Sequence, residues 1–319
     1  MTFGDWLRET KQRYRTQPAT TATRRSAKKF VMGANRRLVD PYVGRTWWQD
    51  DWDVLVVLDA MRVDQAREVL GDEYDIHSRW SAASTSIDWI ERHFDDRHRD
   101  QYSSAGYVTG NPFADNDSPE ARSARLPEKN LGCLDCVYKD GFTDTEYGIS
   151  TTPPERITDR AIHAWRHQDV DRLIVHYMQP HQPFRSKPEW DGVYSNLEDL
   201  VRDVNQGGAD IWKRCRDGDI SRDELWAAYC DNLCWVWEDV ESRLLTNLDG
   251  EVVVTADHGN GLGEWGCWSH VGGQLAPSVR KVPYWRVEAT DDENVAGEAP
   301  PMTDTQTDTA AQLEALGYR

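Results

Sequence analysis

Asp53-Val54-Leu55-Val56-Val57-Leu58-Asp59 is the stretch that decides the fold. An unbroken apolar run rich in valine and closed by an acid at each end reads as a strand buried on both faces, as in a parallel sheet. Three more runs share the pattern: Arg172-Leu173-Ile174-Val175-His176-Tyr177, Glu251-Val252-Val253-Val254-Thr255-Ala256 and the shorter Tyr107-Val108-Thr109. Lys281 to Val287 reads as a further strand at a sheet edge, because Pro283 has no N–H for a central ladder. Helical patterns fall between the strands, over 61–70, 86–97, 195–217 and 221–247, and from Pro153-Pro154 to about His167, where the prolines suit a first turn. Strands alternating with helices predict an α/β fold, a three-layer sandwich whose mainly parallel central sheet is covered on both faces. Residues 288–304 read as an acidic loop before a final helix at 305–316.

The 319 residues suffice for one large α/β domain, and a 39% hydrophobic content with 15 tryptophans excludes a disordered chain. No run of about 18 apolar residues predicts a transmembrane helix. The first residues lack the apolar block of a secretory signal, so a cytoplasmic location is expected. The net charge of -18 is divided unevenly. Residues 1–46 hold eleven Lys/Arg against three Asp/Glu, a net of +8, which leaves -26 on the rest of the chain. An acidic body of this kind repels polyanions and argues against general nucleic-acid binding. It suits a protein kept soluble in high salt, as in halophiles, and an ordinary acidic cytosolic protein has the same balance.

Two units follow: a basic, partly helical N-terminal arm over 1–46 and an α/β body over 47–319. In the arm, Phe3, Trp6 and Leu7 form a small apolar face, and Arg24, Arg25, Lys28 and Lys29 a positive cluster. The arm reads either as a solvated segment lying on the acidic body or as a peripheral contact with the inner membrane face. The six cysteines include Cys133-Leu-Asp-Cys136, a spacing that lacks the two further ligands of a structural zinc site, and Cys230 and Cys234, which lie on an apolar helix stripe. Both pairs read as free or buried thiols.

Functional groups collect at the carboxyl edge of an open α/β sheet. There the first strand ends in Asp59, another in Asp257-His258-Gly259, and a third in Gln179-Pro180-His181-Gln182-Pro183-Phe184. Two carboxylates and a neutral imidazole suit a divalent cation, which offsets their repulsion and acidifies a bound hydroxyl or water. One aspartate at a strand end is an ordinary helix cap; Asp59, Asp257 and His258 together, with Gly259 and Gly261 allowing close backbone approach, read as a site. The hydroxyl-rich turn from Ser81 to Ser86 leads into a helix. Ser84 or Thr85 suits its N-cap, and a hydroxyl at that end lies where an anion is favoured. Thr85 is the expected nucleophile and Ser84 the alternative.

Asp257-His258-Gly259-Asn260-Gly261-Leu262-Gly263-Glu264-Trp265-Gly266, followed by Trp268-Ser269-His270, resembles the D-H-G-E-x-L-G-E-x-G…H signature of the sulfatase-like branch of the alkaline phosphatase superfamily, with Asn260 in place of a glutamate. Val54 to Asp59 resembles the branch's first strand, His181-Gln182-Pro183-Phe184 its H-x-P-[FY] segment, and Leu313 to Tyr318 a common tail. The resemblance runs from about residue 52 onward and is to sulfatase-like proteins of halophilic archaea. It implies that Asp59, Asp257 and His258 hold one divalent metal ion (Mn, Zn, Ca or Mg), with Thr85 as nucleophile and fourth ligand. It also implies that His181 and His270 bind the transferring oxyanion or protonate the leaving group. Arg62 would hold an anionic oxygen, or else form a helix-surface ion pair, and His176 reads as a buried structural residue.

Two departures shape the expected chemistry. Thr85-Ser86-Ile87-Asp88-Trp89 lacks the Pro and Arg of the C-x-P-S-R motif, which disfavours a formylglycine sulfatase. Residues 169–185 lack the D-x-x-x-H pair of the two-metal branch. A single-metal site of the phosphoethanolamine- or phosphoglycerol-transferase type is closer. The expected substrate is an anionic phosphate ester or diester, such as a lipid head group or glycan precursor. The alternatives are a sulfuric ester hydrolase and, given Asn260, an inactive binding protein of the same fold.

Overall fold

In the structure of the chain, a computed structural model, residues 3–114, 126, 131–140, 143–144, 146–190 and 211–301 are described. The expected helix at 305–316, the Leu313–Tyr318 tail and the first part of the 195–217 helix lie outside the described residues.

A seven-stranded sheet forms the centre. Its strands are β1 (Val54–Leu58), β2 (His77–Trp80), β3 (Ala105–Thr109), β4 (Cys133–Cys136), β5 (Arg172–Tyr177), β6 (Gly250–Thr255) and β7 (Lys281–Ala289). Across the sheet they run β2-β7-β6-β1-β5-β3-β4. β1 pairs in parallel with β5 and β6, and β3 with β4 and β5; β7 lies antiparallel to both β6 and β2. Every residue of β1 is buried, as its apolar run requires.

The pleat sends alternate side chains to opposite cores. Val54, Val56 and Leu58 join Leu173, Val175, Val252 and Val254 on one face. There the helices α3 (Val63–Leu70), α5 (Pro154–His167) and α7 (Arg222–Asp239) cover them. Leu55, Val57, Ile174 and Val253 face the other way, against Trp47, Trp48, Trp52 and the helix α4 (Ser86–His93). Each buried aliphatic side chain contributes about 1.5–3 kcal/mol. These two apolar faces give the three layers. Phe184, Trp190, Trp212 and Tyr229 form a third, smaller core with α6 (Ile211–Asp217) beyond the carboxyl edge.

The expectation for Lys281–Val287 needs correction. β7 is internal, with β2 outside it. Pro283 is tolerated because β6 ends at Thr255, which pairs with Tyr284; Pro283 pairs only with Ser78 of β2. β2 itself, His77-Ser78-Arg79-Trp80, is mostly exposed and has no apolar run to reveal it. Its place is supported by Arg79, which stacks over Trp47 at 3.8 Å and pairs with Asp50 at 2.9 Å.

The N-terminal arm folds as α1 (Phe3–Thr16) and α2 (Ala19–Leu38), with Pro18 between them. Trp6 packs on Phe30 at 5.3 Å and donates from Nε1 to the Ser26 carbonyl at 3.0 Å. Phe30, Val31 and Leu38 stay exposed. Immediately after α2, Asp40 is fully buried between Arg92 of α4 and Arg280, the latter at 2.7 Å. Among the described residues no helix is long and apolar enough to cross a membrane.

Candidate metal centre

Asp59, Asp257 and His258 meet at the carboxyl edge because β1 and β6 are neighbours in the sheet. One ligand atom from each lies within 4.8 Å of the others, and all three residues are buried. Asp257 Oδ1 accepts the backbone N–H groups of Ala60 (3.0 Å) and His258 (2.8 Å), while its Oδ2 has no hydrogen-bond partner. Asp59 Oδ2 accepts from Asn111 Nδ2 at 3.1 Å, and Oδ1 has no partner. His258 Nδ1 faces the Gly259 carbonyl at 3.0 Å. A carbonyl only accepts, so Nδ1 carries the proton and Nε2 presents its lone pair. Nε2 lies 3.3 Å from Asp257 Oδ2 and 3.7 Å from Asp59 Oδ1.

Burial and the neighbouring Asp257 push the Asp59 carboxyl well above the usual carboxylate range. Burial drives His258 down to about 3, which keeps it neutral. Orphaned buried oxygens are costly, and two facing carboxylates repel. A divalent cation answers both, and the O/N donor set fits one. The backbone accommodates the centre closely: a Cβ on Gly259 would lie 2.4 Å from the Ser278 carbonyl oxygen. Ala60 adopts a left-handed φ of 65° between Asp59 and its helix, in a region unfavourable for a residue with a Cβ.

Two further histidines line up beside the centre. The His270 ring lies 4.2 Å from His258, and the His181 ring 5.4 Å from His270. His181 N–H donates to the Asp59 carbonyl at 3.1 Å, which fixes the H-x-P loop on β1. Burial lowers the pKa of both rings, and His270 is lowered further by the adjacent histidines. Neutral imidazoles suit accepting a proton more than giving one.

The remaining sequence candidates fall differently. The Thr85 hydroxyl accepts from Asp88 N–H at 3.3 Å as the N-cap of α4. Ser84 Oγ turns away, donating to the Val271 carbonyl at 2.9 Å. Ser86 is the hydroxyl beside the centre, 3.4 Å from Asp59 Oδ2 and 3.3 Å from His258 Nε2. Arg62 forms ion pairs, buried and not at the helix surface. It is buried against Asp64 (2.6 Å) and Glu264 (2.8 Å) and donates to the Asn260 carbonyl at 2.6 Å, so it braces the 257–264 loop. His176 is fully buried, with Nδ1 2.9 Å from the Tyr107 hydroxyl and Nε2 3.8 Å from Asp257 Oδ2.

Sequence reasoning missed Ser86, Asn111 and Asn232. Asn232 on α7 clamps the H-x-P loop, donating to the carbonyls of His181 (3.2 Å) and Pro183 (2.9 Å). Asn111 and Asn232 belong to a common polar type with no motif around them, whereas Ser86 lies in the hydroxyl-rich turn beside the two hydroxyls chosen from it. Among the described residues no cysteine joins a metal-ligating group.

Fold and site together define an α/β protein with a buried carboxylate–imidazole centre at the carboxyl edge of its sheet. No protein-family model matches the chain, and no curated protein matches it. Solved structures do resemble it. The soluble domain of lipooligosaccharide phosphoethanolamine transferase A from Neisseria meningitidis is 15% identical over 77% of this chain and 80% of that one, with a TM-score of 0.47. The C-terminal periplasmic domain of EptC from Escherichia coli, solved as a complex with Zn, is 10% identical over 74% and 72%, with a TM-score of 0.41. A 2-O GAG sulfatase is 14% identical over 76% and 65%, with a TM-score of 0.41.

Proposed function

We propose that the chain hydrolyses or transfers a phosphate ester or diester at a single divalent-cation centre held by Asp59, Asp257 and His258. The observation that carries this is the convergence of those three buried ligand atoms, two of them carboxylate oxygens without a partner. A bound cation there offsets the carboxylate charge and acidifies a hydroxyl that ligates it. A hydroxyl of the 84–86 turn, at the N-terminus of α4, attacks the ester phosphorus and carries the phosphoryl group. The backbone N–H groups of that helix end favour its charge. His181 and His270, both neutral, hold the phosphoryl oxygens from their N–H groups or take up the hydroxyl proton. Arg62 and Asn232 act at one remove by fixing the two loops.

The test is turnover of aryl phosphate, phosphodiester and aryl sulfate by the purified chain with Mn, Zn, Mg or Ca. Phosphorus esters should be turned over, and EDTA should abolish the rate. Faster turnover of the sulfate would replace the reading with a sulfatase. No turnover of any ester with any of the four ions would leave the binding-protein alternative.

We further propose a cytoplasmic chain that meets an anionic lipid surface through α1 and α2, where a net +8 and the exposed Phe30, Val31 and Leu38 lie together. Co-sedimentation with phosphatidylserine vesicles should be lost on deleting residues 1–38 and be absent with neutral vesicles.

A further inference from the structure

Residues 40–44, which follow α2 and lead into the body, lie directly against the start of the hydroxyl-rich turn. Gly44 holds a φ of 75°, and a Cβ there would fall 1.9 Å from the Ser81 carbonyl oxygen, so no side chain fits between the two segments. The Asp40 carboxylate is fully buried between two guanidinium groups. Arg92, in the last turn of α4, pairs with Asp40 Oδ2 and donates to the carbonyls of Asp40 (3.1 Å) and Ala82. Arg280, itself fully buried, pairs with Asp40 Oδ1 at 2.7 Å and donates to the Val43 carbonyl at 2.6 Å. The Arg280 carbonyl accepts Ser81 N–H at 2.8 Å. Ser81 Oγ then donates to the Asp257 carbonyl and accepts Ala83 N–H at 3.2 Å. A continuous chain of polar contacts thus runs from Asp40 through Arg92 and Arg280 to both the 81–86 turn and Asp257.

Taking three charged groups out of water is costly, and a buried ion pair often stabilises a fold no more than apolar side chains of the same volume. Apolar side chains, however, cannot fix carbonyl groups in direction. Here one carboxylate orients two guanidinium forks, and the forks hold the carbonyls of Asp40, Val43 and Ala82. We propose, resting on the metal-centre reading above, that Asp40 is a positioning residue of that centre. Through Arg92 and Arg280 it sets the 81–86 turn and the backbone from which Asp257 reaches the ion, so the end of the arm is a working part of the site.

The experiment uses the full chain, each variant first checked by circular dichroism to be folded at the assay temperature. Asp40→Asn keeps the shape and removes the charge. Arg92→Lys keeps a charge opposite Asp40 and loses the fork that also reaches the Ala82 carbonyl, and it carries the test if Asp40→Asn does not fold. Zinc affinity measured by calorimetry should fall about tenfold in Asp40→Asn, and by a smaller factor in Arg92→Lys. On an aryl phosphate, kcat should fall in the same order while KM changes little. In metal-free protein, amide hydrogen exchange over residues 81–90 should quicken in both variants relative to exchange in β5. Leu248→Ala cuts the core at the amino edge of the sheet, two residues before β6, and should melt at lower temperature with zinc affinity and kcat unchanged. That comparison separates positioning from a general loss of stability. Folded Asp40→Asn and Arg92→Lys with wild-type zinc affinity and wild-type kcat would overturn the assignment. If wild type takes up no zinc and turns over no ester, the metal-centre reading fails by itself. Exchange over 81–90 then decides alone whether Asp40 holds the turn, and unchanged exchange would overturn that too.

Discussion

The backbone N–H of Ala60 donates to Asp257 Oδ1 at 3.0 Å, across 197 positions of chain. This bond leaves the other oxygen of Asp257 facing His258 Nε2 at 3.3 Å, and Ala60 makes it while holding a φ of 65°. The Tyr229 hydroxyl, in turn, donates to the Ala60 carbonyl. A left-handed conformation costs a residue with a Cβ about 1–2 kcal/mol. Glycine avoids that cost and loses part of the gain to unfolded-state entropy. Ala60→Gly should therefore raise unfolding free energy by up to about 1 kcal/mol, and Ala60→Val should lower it. Urea unfolding of both variants checks the sign; a glycine variant less stable than wild type would contradict the strain.

Metal removal should destabilise the chain, because it leaves Asp59 and Asp257 facing each other without a counter-charge. A saturating ion at a hundred times its dissociation constant contributes about 2.7 kcal/mol. EDTA should lower the melting temperature, and added Zn or Mn should restore it. Asp59→Asn removes one of the repelling charges, so its metal-free form should melt at or above metal-free wild type, yet gain little from added ion. A large gain from ion in Asp59→Asn would place the ligand set elsewhere.

His93 should make the fold sensitive to acid. Its buried ring faces Trp47 N–H and the Trp89 carbonyl, and burial lowers its pKa from 6.5 to about 3. The unfolded chain then binds a proton that the folded chain refuses between about pH 6.5 and pH 3. Stability should be fully present above pH 6.5 and fall as pH drops, by about 1.4 kcal/mol per pH unit for one such group. His93→Gln should flatten the slope by about one proton's worth between pH 4.5 and 6, measured by urea unfolding. An unchanged slope would mean that His93 is charged in the fold.

Asp40 should be indispensable although it lies in the arm. It neutralises Arg280, whose pKa burial pushes down to about 10, and also pairs with Arg92. Removing one partner of a buried pair typically costs about 3–5 kcal/mol. Asp40→Ala should lose that much, whereas Asp75→Ala, at an exposed acid, should lose little. A loss below about 1 kcal/mol in Asp40→Ala would show that water reaches the two arginines.

Much of the architecture was legible because strands buried on both faces need continuous apolar runs, and β1, β5 and β6 have them. The aspartates ending β1 and β6 were equally legible, since the edge of a parallel sheet gathers strand ends. The exposed edge strand β2 carries no such pattern, and Pro283 misled because pairing on one side of a strand depends on where its neighbour stops.

By itself the sequence determined the sheet's central strands, the helices packed on them and the meeting of Asp59, Asp257 and His258, which those strands carry to one edge. Only the tertiary structure decided which of Ser84, Thr85 and Ser86 faces that edge, that Arg62 is bound to Asp64 and Glu264, and that Asn111 and Asn232 bond Asp59 and the His181 carbonyl. The physical reason is range. Strand burial follows from a residue's immediate neighbours in sequence. The direction of a hydroxyl or a guanidinium is set by partners brought from tens to hundreds of residues away.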